Sequence, residues 1–544
     1  LNAAPIVGFG LQYALVEHLE FGAAFSALAL GLIYMGLARW LAARAPGQTA
    51  LLMETCLALG VVFATLAIPL GLGSQWTTSA WAVEGAAIFW LGLRQQRRLA
   101  QAFGLLLQLG ASAILISGGT DSSGQAFAND YWTPMILAIA AMVSAWCVFR
   151  LDSLSLIDQR TARTLLVIWG AFWWMVSLTS AVMLHAPEAY LAAAFLLALA
   201  LSVALWAAIA IRLRWPDLAA LCSVLTPLSA ALLMISVDLH NHPAGRLGWL
   251  AWLAVFAVHL LTLRYLTGMQ SILARRVAHT VGCLLIITVL ALELRFGLLQ
   301  LSEHYNAWRW LGWAILPSLF LLAMSSTRQW PWPVTACPEA YHLGAAAPLA
   351  VLMLAWFWLA NTFSDGAADP LPYIPLLNPL EIGLLLSLAG VCLWLRRHVV
   401  RLGNAALLVA GASLFALVTA MVMRTAHHWA DVPWNTGALL DSMRVQAGLS
   451  IVWTLMALAL MIGGHMRSNR QLWLGGAVLI GVVVVKLFFV ELSNRGGMER
   501  IVSFIGVGIL LLVVGYFAPL PPKLSVTEVG EEPGPGSTAA PETL

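Results

Sequence analysis

The run Phe195-Leu-Leu-Ala-Leu-Ala-Leu-Ser-Val-Ala-Leu-Trp-Ala-Ala-Ile-Ala-Ile211 contains no charged residue and is closed by Arg212 and Arg214. Its apolar residues do not alternate, which excludes the period-two pattern of a half-buried strand and of a membrane barrel, whose segments run to about ten residues. As an α-helix the run is apolar on every side and about 25 Å long, close to the roughly 30 Å hydrocarbon core of a bilayer. In lipid every backbone N–H and C=O must be satisfied within the segment, and a helix does this.

The remainder of the chain repeats the pattern. Of 544 residues, 61% are hydrophobic and 10% are charged, where a soluble protein carries roughly 25% charged. A water-soluble core stops growing at about 250–300 residues, so this much apolar surface needs lipid. The composition excludes a soluble globular enzyme, a disordered chain and a nucleic-acid binder. About eighteen apolar stretches approach the spanning length of roughly 20 residues. They begin with Ala3–Val16, Glu20–Arg39 and Ala50–Leu72, include Thr78–Leu93, Val277–Leu298, Asn306–Met324, Leu376–Leu395, Leu402–Met423 and Gln471–Val490, and end with Ile501–Phe517. The expected fold class is all-α: a polytopic transmembrane helical protein over residues 1–518. Residues 519–544, rich in Pro, Gly and Glu, are expected to form a disordered cytoplasmic tail.

Charge gives the orientation. Most arginines follow the even-numbered stretches, as in Arg94, Arg97 and Arg98, Arg212 and Arg214, or Arg396, Arg397 and Arg401. The connectors after odd-numbered stretches are acidic, His-bearing or uncharged, with Arg246, Arg424, Arg444, Arg495 and Arg500 as exceptions. The positive-inside rule places the Arg-rich side in the cytoplasm, with both ends of this chain on that side. The six cysteines are scattered singly and read as small packing residues. The chain starts at Leu1, and Ala3–Val16 lacks the basic flank of a signal peptide; its natural start is expected to lie upstream.

One unit recurs: an apolar span, a short Arg-rich connector, and a second span with a Gly near its start. It appears at Trp90-Leu-Gly-Leu-Arg-Gln-Gln-Arg-Arg-Leu99 running into Phe103-Gly104, at Cys392-Leu-Trp-Leu-Arg-Arg-His-Val-Val-Arg-Leu-Gly403, and at Ile462-Gly-Gly-His-Met-Arg-Ser-Asn-Arg-Gln-Leu-Trp-Leu-Gly475. The copies share one orientation and suggest stacked parallel helical hairpins made by duplication. Positive-inside topology by itself also produces short Arg-bearing turns.

Two stretches carry a resemblance. Ser79-Ala-Trp-Ala-Val-Glu-Gly-Ala-Ala-Ile-Phe-Trp-Leu-Gly-Leu-Arg94, followed by Phe103-Gly-Leu-Leu-Leu107, and Lys486-Leu-Phe-Phe-Val-Glu-Leu-Ser-Asn494, followed by Arg500-Ile-Val-Ser-Phe-Ile-Gly-Val-Gly-Ile-Leu-Leu-Leu512, resemble a family of bacterial membrane proteins catalogued as domain of unknown function 2339. The resemblance covers essentially the whole chain and implies a many-span inner-membrane protein. It implies no activity. The family tends to carry Asp where this chain has Glu491, and an upstream polar segment that is absent here.

Ionisable groups inside lipid are costly, so each is a functional candidate. Glu84, Glu381, Glu293, Arg295, Arg309, Lys486 and Glu491 fall at similar depth on the side away from the Arg-rich connectors. They are read as lining an outward-facing polar cavity; the competing reading is that they pair between helices or reach to the interface. Within one helix Glu293 and Arg295 point to nearly opposite faces, and Lys486 and Glu491 are five apart, so any partners come from other helices. A second set lies on the outer loops: Asp238, His240 and His242, and His427, His428 and Asp431. Their spacings match no zinc motif, and solvated loop residues are the plainer reading. No metal or other cofactor is implied, and no phosphate-binding or hydrolase motif is present.

The functional expectation is an integral membrane protein that transports or flips an envelope-related solute. A membrane enzyme acting on a lipid-linked saccharide at the periplasmic face, and a scaffold for envelope machinery, are the alternatives. The partners implied are the bilayer and an envelope lipid or saccharide.

Overall fold

A computed structural model describes residues 3–16, 19, 21–44, 50–71, 74–118, 131–151, 154, 157–301, 306–399, 403–487, 501, 505, 508–509 and 512. Among them it is all-helical, with no named strand. The helices are α1 (Ala3–Val16), α2 (Gly22–Arg44), α3 (Ala50–Gly71), α4 (Ser74–Arg94), α5 (Arg98–Gly118), α6 (Trp132–Leu151), α7 (Gln159–His185), α8 (Leu191–Leu213), α9 (Pro216–Leu221), α10 (Leu225–His240), α11 (Gly248–Tyr265), α12 (Ile272–Leu301), α13 (Asn306–Ser325), α14 (Ala346–Phe363), α15 (Pro379–His398), α16 (Gly403–Ala430), α17 (Thr436–Asp441), α18 (Met443–Met466) and α19 (Arg470–Lys486). Fourteen helical segments among the described residues are long and apolar enough to cross a membrane. The stretches expected from the sequence as far as Gln471–Val490 fall on these helices, Asp217–Ser236 on α9 and α10 together. Ile501–Phe517, Glu491 and the tail after 518 lie wholly or mostly outside the described residues.

The chain divides into two compact units. The first comprises Leu1–Phe296 with Thr327–Pro348, the second Gly297–Ser326 with Leu349–Leu544. In the first, the apolar run of α8 is central: Leu196, Leu199, Ala200, Val203 and Trp206 are buried in one core with Trp215, Leu233 and Trp252. Its lone hydroxyl, Ser202, is not wasted on lipid, since it accepts a hydrogen bond from the Trp174 indole at 3.0 Å. In the second unit α13 packs on α15, where a side chain at Gly390 would meet the Ser318 carbonyl at 3.0 Å. Ser387 of α15 donates to the Met353 carbonyl of α14.

Close helix approach rests on small residues, as expected where lipid supplies no hydrophobic drive between helices. On α4 and α5, a Cβ at Gly85 would lie 2.7 Å from the Gly104 carbonyl, and one at Gly104 would lie 2.6 Å from that of Gly85.

Two of the three repeated connectors, those after Gly92 and Gly464, share one turn, which a hairpin outside the repeat also uses. After Gly92, Gln96 adopts a left-handed conformation (φ 57°) and the Arg97 N–H returns to the Gly92 carbonyl at 3.0 Å. After Gly464, Ser468 does the same (φ 52°) and the Asn469 N–H returns to the Gly464 carbonyl at 2.8 Å. A third hairpin repeats it with Ala210, Arg214 (φ 51°) and the Trp215 N–H at 3.0 Å from the Ala210 carbonyl. This is the left-handed helix cap that satisfies the last carbonyls of the first helix. It accounts for Gly92 and Gly464, near the end of the first helix of each hairpin, because the second helix starts against them: a Cβ at Gly92 would lie 2.7 Å from the Gln101 backbone nitrogen, and one at Gly464 would lie 2.6 Å from that of Trp473.

Gly92→Val and Gly464→Val are expected to destabilise the protein by about 1–3 kcal/mol each, the range for overpacking. Gly475→Ala, where a Cβ meets nothing within 4 Å, should be neutral or slightly stabilising. Thermal unfolding of the three variants in one detergent checks this, and equal midpoints would contradict the close-packed turn.

Candidate functional site

The densest polar cluster of the second unit joins the facing ends of three helices. Asn378 caps α15, its side chain accepting the Leu380 N–H at 2.9 Å, and Pro379 takes the first helical position. This start puts Glu381 in the first turn, where the positive end of the helix dipole favours a carboxylate. Glu381 therefore lies in the opening turn and not about 8 Å inside its helix, as a span beginning at Leu376 implied. It reaches back instead: Oε2 accepts the Leu376 N–H at 2.5 Å, and Oε1 accepts the Tyr373 hydroxyl at 2.5 Å.

Arg424 comes from α16. That helix runs to Ala430, so Arg424 sits about 9 Å inside it at 1.5 Å per residue. Its Nε donates to the Ser364 carbonyl at 3.1 Å, and Nη2 donates to the Asn361 carbonyl at 2.7 Å and to Asn361 Oδ1 at 3.1 Å. These are groups at the C-terminus of α14, whose last carbonyls lack partners within the helix and present the negative end of its dipole. Nη1 lies 3.6 Å from Glu381 Oε1, and both side chains are 0% exposed. Full burial decides what this pair is. Taking two charges out of water costs several kcal/mol per ion unless hydrogen bonds meet the remaining valences, and here two helix ends meet most of them.

The 364–378 segment is fastened to the last turns of α16. The Tyr373 ring stacks on His428 with centroids 4.7 Å apart. His428 Nε2 donates to the Asp365 carbonyl at 2.9 Å, and the Trp429 indole donates to the Tyr373 carbonyl at 3.1 Å. Burial, reinforced by the bond to Glu381, pushes the Tyr373 hydroxyl well above the usual phenol range, so it stays a donor at neutral pH. Gly366 (φ +81°) closes the loop over Arg424, and a Cβ there would lie 3.2 Å from Arg424 Cδ.

The remaining sequence candidates separate into other places. His427 Nδ1 donates to the Val432 carbonyl at 2.7 Å, and Asp431 is exposed at the left-handed residue (φ 55°) after α16. Arg309 is exposed on α13. Lys486 donates to the Gln446 carbonyl at 2.8 Å and to the Ser450 hydroxyl at 2.7 Å. In the first unit Glu293 accepts His242 Nδ1 at 3.2 Å and the Ala244 N–H at 2.5 Å, and His242 stacks on Phe296 at 3.8 Å. His240 donates to the Ala189 carbonyl at 3.1 Å, Asp238 is exposed, and Arg295 lies two residues beyond Glu293 on α12. Glu84 lies midway along α4, and its Oε2 is buried with no hydrogen-bond partner. The structure thus joins Glu381 to His428 through Tyr373, and Glu293 directly to His242, pairs that cross between the two sets read from the sequence. Among the described residues no group of three or more His, Cys, Asp or Glu converges as a metal site.

Sequence reasoning missed Arg424, Tyr373 and Asn361. Arg424 stood among the exceptions to the charge pattern, which was the signal available.

Beside Asn361 opens a groove of about 780 Å³. One wall is α14 at Trp358, Asn361, Thr362 and Phe363. The other is α16 at Ala412, Phe415, Ala416, Thr419, Ala420 and Met423, and the mouth is closed by Trp434, Asn435 and Thr436 with α17. None of the lining side chains is charged. From Ala412 to Met423 the α16 wall runs about 16 Å. Hydrogen-bonding side chains gather at the end near Asn361 and Asn435, and alanines and Phe415 lie at the other. Two further cavities, in the first unit, are almost wholly apolar: about 350 Å³ at Phe195 and Leu232, and about 530 Å³ at Trp146 and Trp206.

Residues 1–521 match the family described as "predicted membrane protein (DUF2339)", and the chain belongs to that family. No curated protein and no solved structure matches the chain.

Arg424→Met is expected to cost about 3–5 kcal/mol, because it leaves the Glu381 carboxylate buried without its cation. Adding Glu381→Leu should recover much of that loss. A double-mutant cycle on unfolding midpoints checks this, and strictly additive effects would show that the two side chains do not act as a pair.

Proposed function

We propose that the protein transports or flips an amphiphilic molecule of the cell envelope, and that the groove between α14 and α16 is where this molecule enters from the bilayer. The observation that carries the reading is the groove's polarity: an apolar bed about 16 Å long that ends in amides and hydroxyls. Such a shape matches a lipid tail with a hydrogen-bonding head. The residues lining it include no carboxylate, histidine or thiol, which favours movement over chemistry at this place.

In this reading the Arg-rich connectors face the cytoplasm of a bacterial inner membrane, and the groove mouth faces outward. Glu381 and Arg424 serve the groove from behind its wall. Their pair holds the end of α14, and with it Asn361, against α15 and α16. Glu84, whose buried oxygen lacks a protein donor, is the candidate polar contact within the first unit.

The test is lipid movement in proteoliposomes. With a short-chain fluorescent lipid and quenching from outside, wild-type protein should raise the exchange between leaflets well above that of protein-free vesicles. Ala416→Trp, which fills the floor of the groove, should reduce the rate at least tenfold. Exchange no faster than in empty vesicles would sink the proposal.

A further inference from the structure

Two asparagines at the polar end of the groove, Asn361 on its α14 wall and Asn435 at its mouth, have their oxygens already committed. Arg424 can only donate hydrogen bonds, so the Asn361 amide must turn Oδ1 toward it, and the 3.1 Å contact from Nη2 shows that orientation. Asn435 Oδ1 accepts the Ala438 N–H at 2.8 Å as the cap of α17. What each side chain has left to offer is its NH₂ group. Thr436, exposed beside Asn435, adds a hydroxyl. No ammonium or guanidinium lines the groove. The neighbouring guanidinium, Arg424, is 0% exposed and spends its Nε and Nη2 on Ser364 and Asn361.

Resting on the groove as the entry site, we infer that its mouth is a donor site for an uncharged lipid headgroup that presents acceptor oxygens, the chemistry of a glycosyl diacylglycerol. The two NH₂ groups and the Thr436 hydroxyl meet the ring, glycosidic and ester oxygens of such a head. Trp434 and Trp358 offer apolar faces on which a sugar ring packs. An anionic phosphate head would find amide donors there but no countercharge, and phosphate recognition ordinarily recruits Arg or Lys. The tail lies along Ala412, Ala416 and Ala420, which recur every fourth residue and so share one face of α16.

The intramolecular bonds supply their own isosteric test. Asn361→Asp keeps an acceptor for Arg424, and Asn435→Asp keeps a good helix cap. Each replaces the NH₂ donor with an acceptor oxygen and also brings a negative charge, so the variant is read by its affinity for the uncharged glycolipid and not by its preference over an anionic lipid. Purified protein in lauryl dimethylamine oxide, a detergent without sugar, would be titrated with dioleoyl monoglucosyl diacylglycerol and with dioleoyl phosphatidylglycerol and read by native mass spectrometry. Wild type should bind the glycolipid at least tenfold more tightly than the phospholipid. The Asn361→Asp/Asn435→Asp protein, checked to be folded by circular dichroism, should bind the glycolipid at least tenfold more weakly than wild type. Equal or tighter binding of phosphatidylglycerol, or unchanged glycolipid binding by the double variant, overturns the headgroup assignment. Loss of glycolipid binding in Ala416→Trp alone leaves the groove standing and removes only its selectivity. Binding indifferent to Ala416→Trp overturns both.

Discussion

A guanidinium cannot be left alone away from water. Arg424, wholly buried near the end of α16, needs acceptors in a region where lipid has none, and the chain supplies them by bringing helix ends to it. The free carbonyls of α14 take its donors, and Glu381, at the opposite electrical pole of α15, takes its charge. Helix dipoles and formal charges therefore agree in sign at each contact. The 364–378 segment, Tyr373 and the last turns of α16 are arranged around this demand. That a loop of this length holds one conformation follows from how many of its polar groups point at one cation or its counterion.

The same demand shapes the groove. Asn361 lies between Arg424 on one side and the groove on the other, so a charge that never reaches the lipid-facing surface still dictates which atom of Asn361 does. A buried ion pair is weak evidence for net stability, since apolar residues of similar volume often serve as well. Its plainer role here is orientation. Replacing the pair with well-packed hydrophobic side chains could preserve the fold and still release the amide to rotate.

How much of this was legible in the residues differs by level. The membrane class and the helices follow from apolar runs and caps, and the spans read from composition fall on helices throughout the described chain. Helix ends were harder, and the errors were the ones that mattered. Hydropathy placed the start of one span at Leu376, whereas Asn378-Pro379 marks a cap and first position, with Glu381 in the favoured acidic place of the opening turn. Hydropathy also stopped the following helix at Met423, because Arg424-Thr-Ala-His-His is polar. No residue that breaks a helix occurs until Pro433, and the helix runs on to Ala430. With both ends shifted, Arg424 moved from loop to interior, and the histidine pair moved from solvent to the edge of a packed cluster. Which partners Glu293 and Glu381 take could not be read, because a backbone N–H in a turn or a tyrosine in a loop leaves no periodic mark.

The turn shared by Gly92, Gly464 and Ala210 bears on how such a chain is made. Each turn closes on its own backbone and asks nothing of helices synthesised later. A pair of spans joined this way forms a complete unit as soon as its second member emerges. During biosynthesis it can pass from the translocation channel into the bilayer two helices at a time, before the rest of the protein exists.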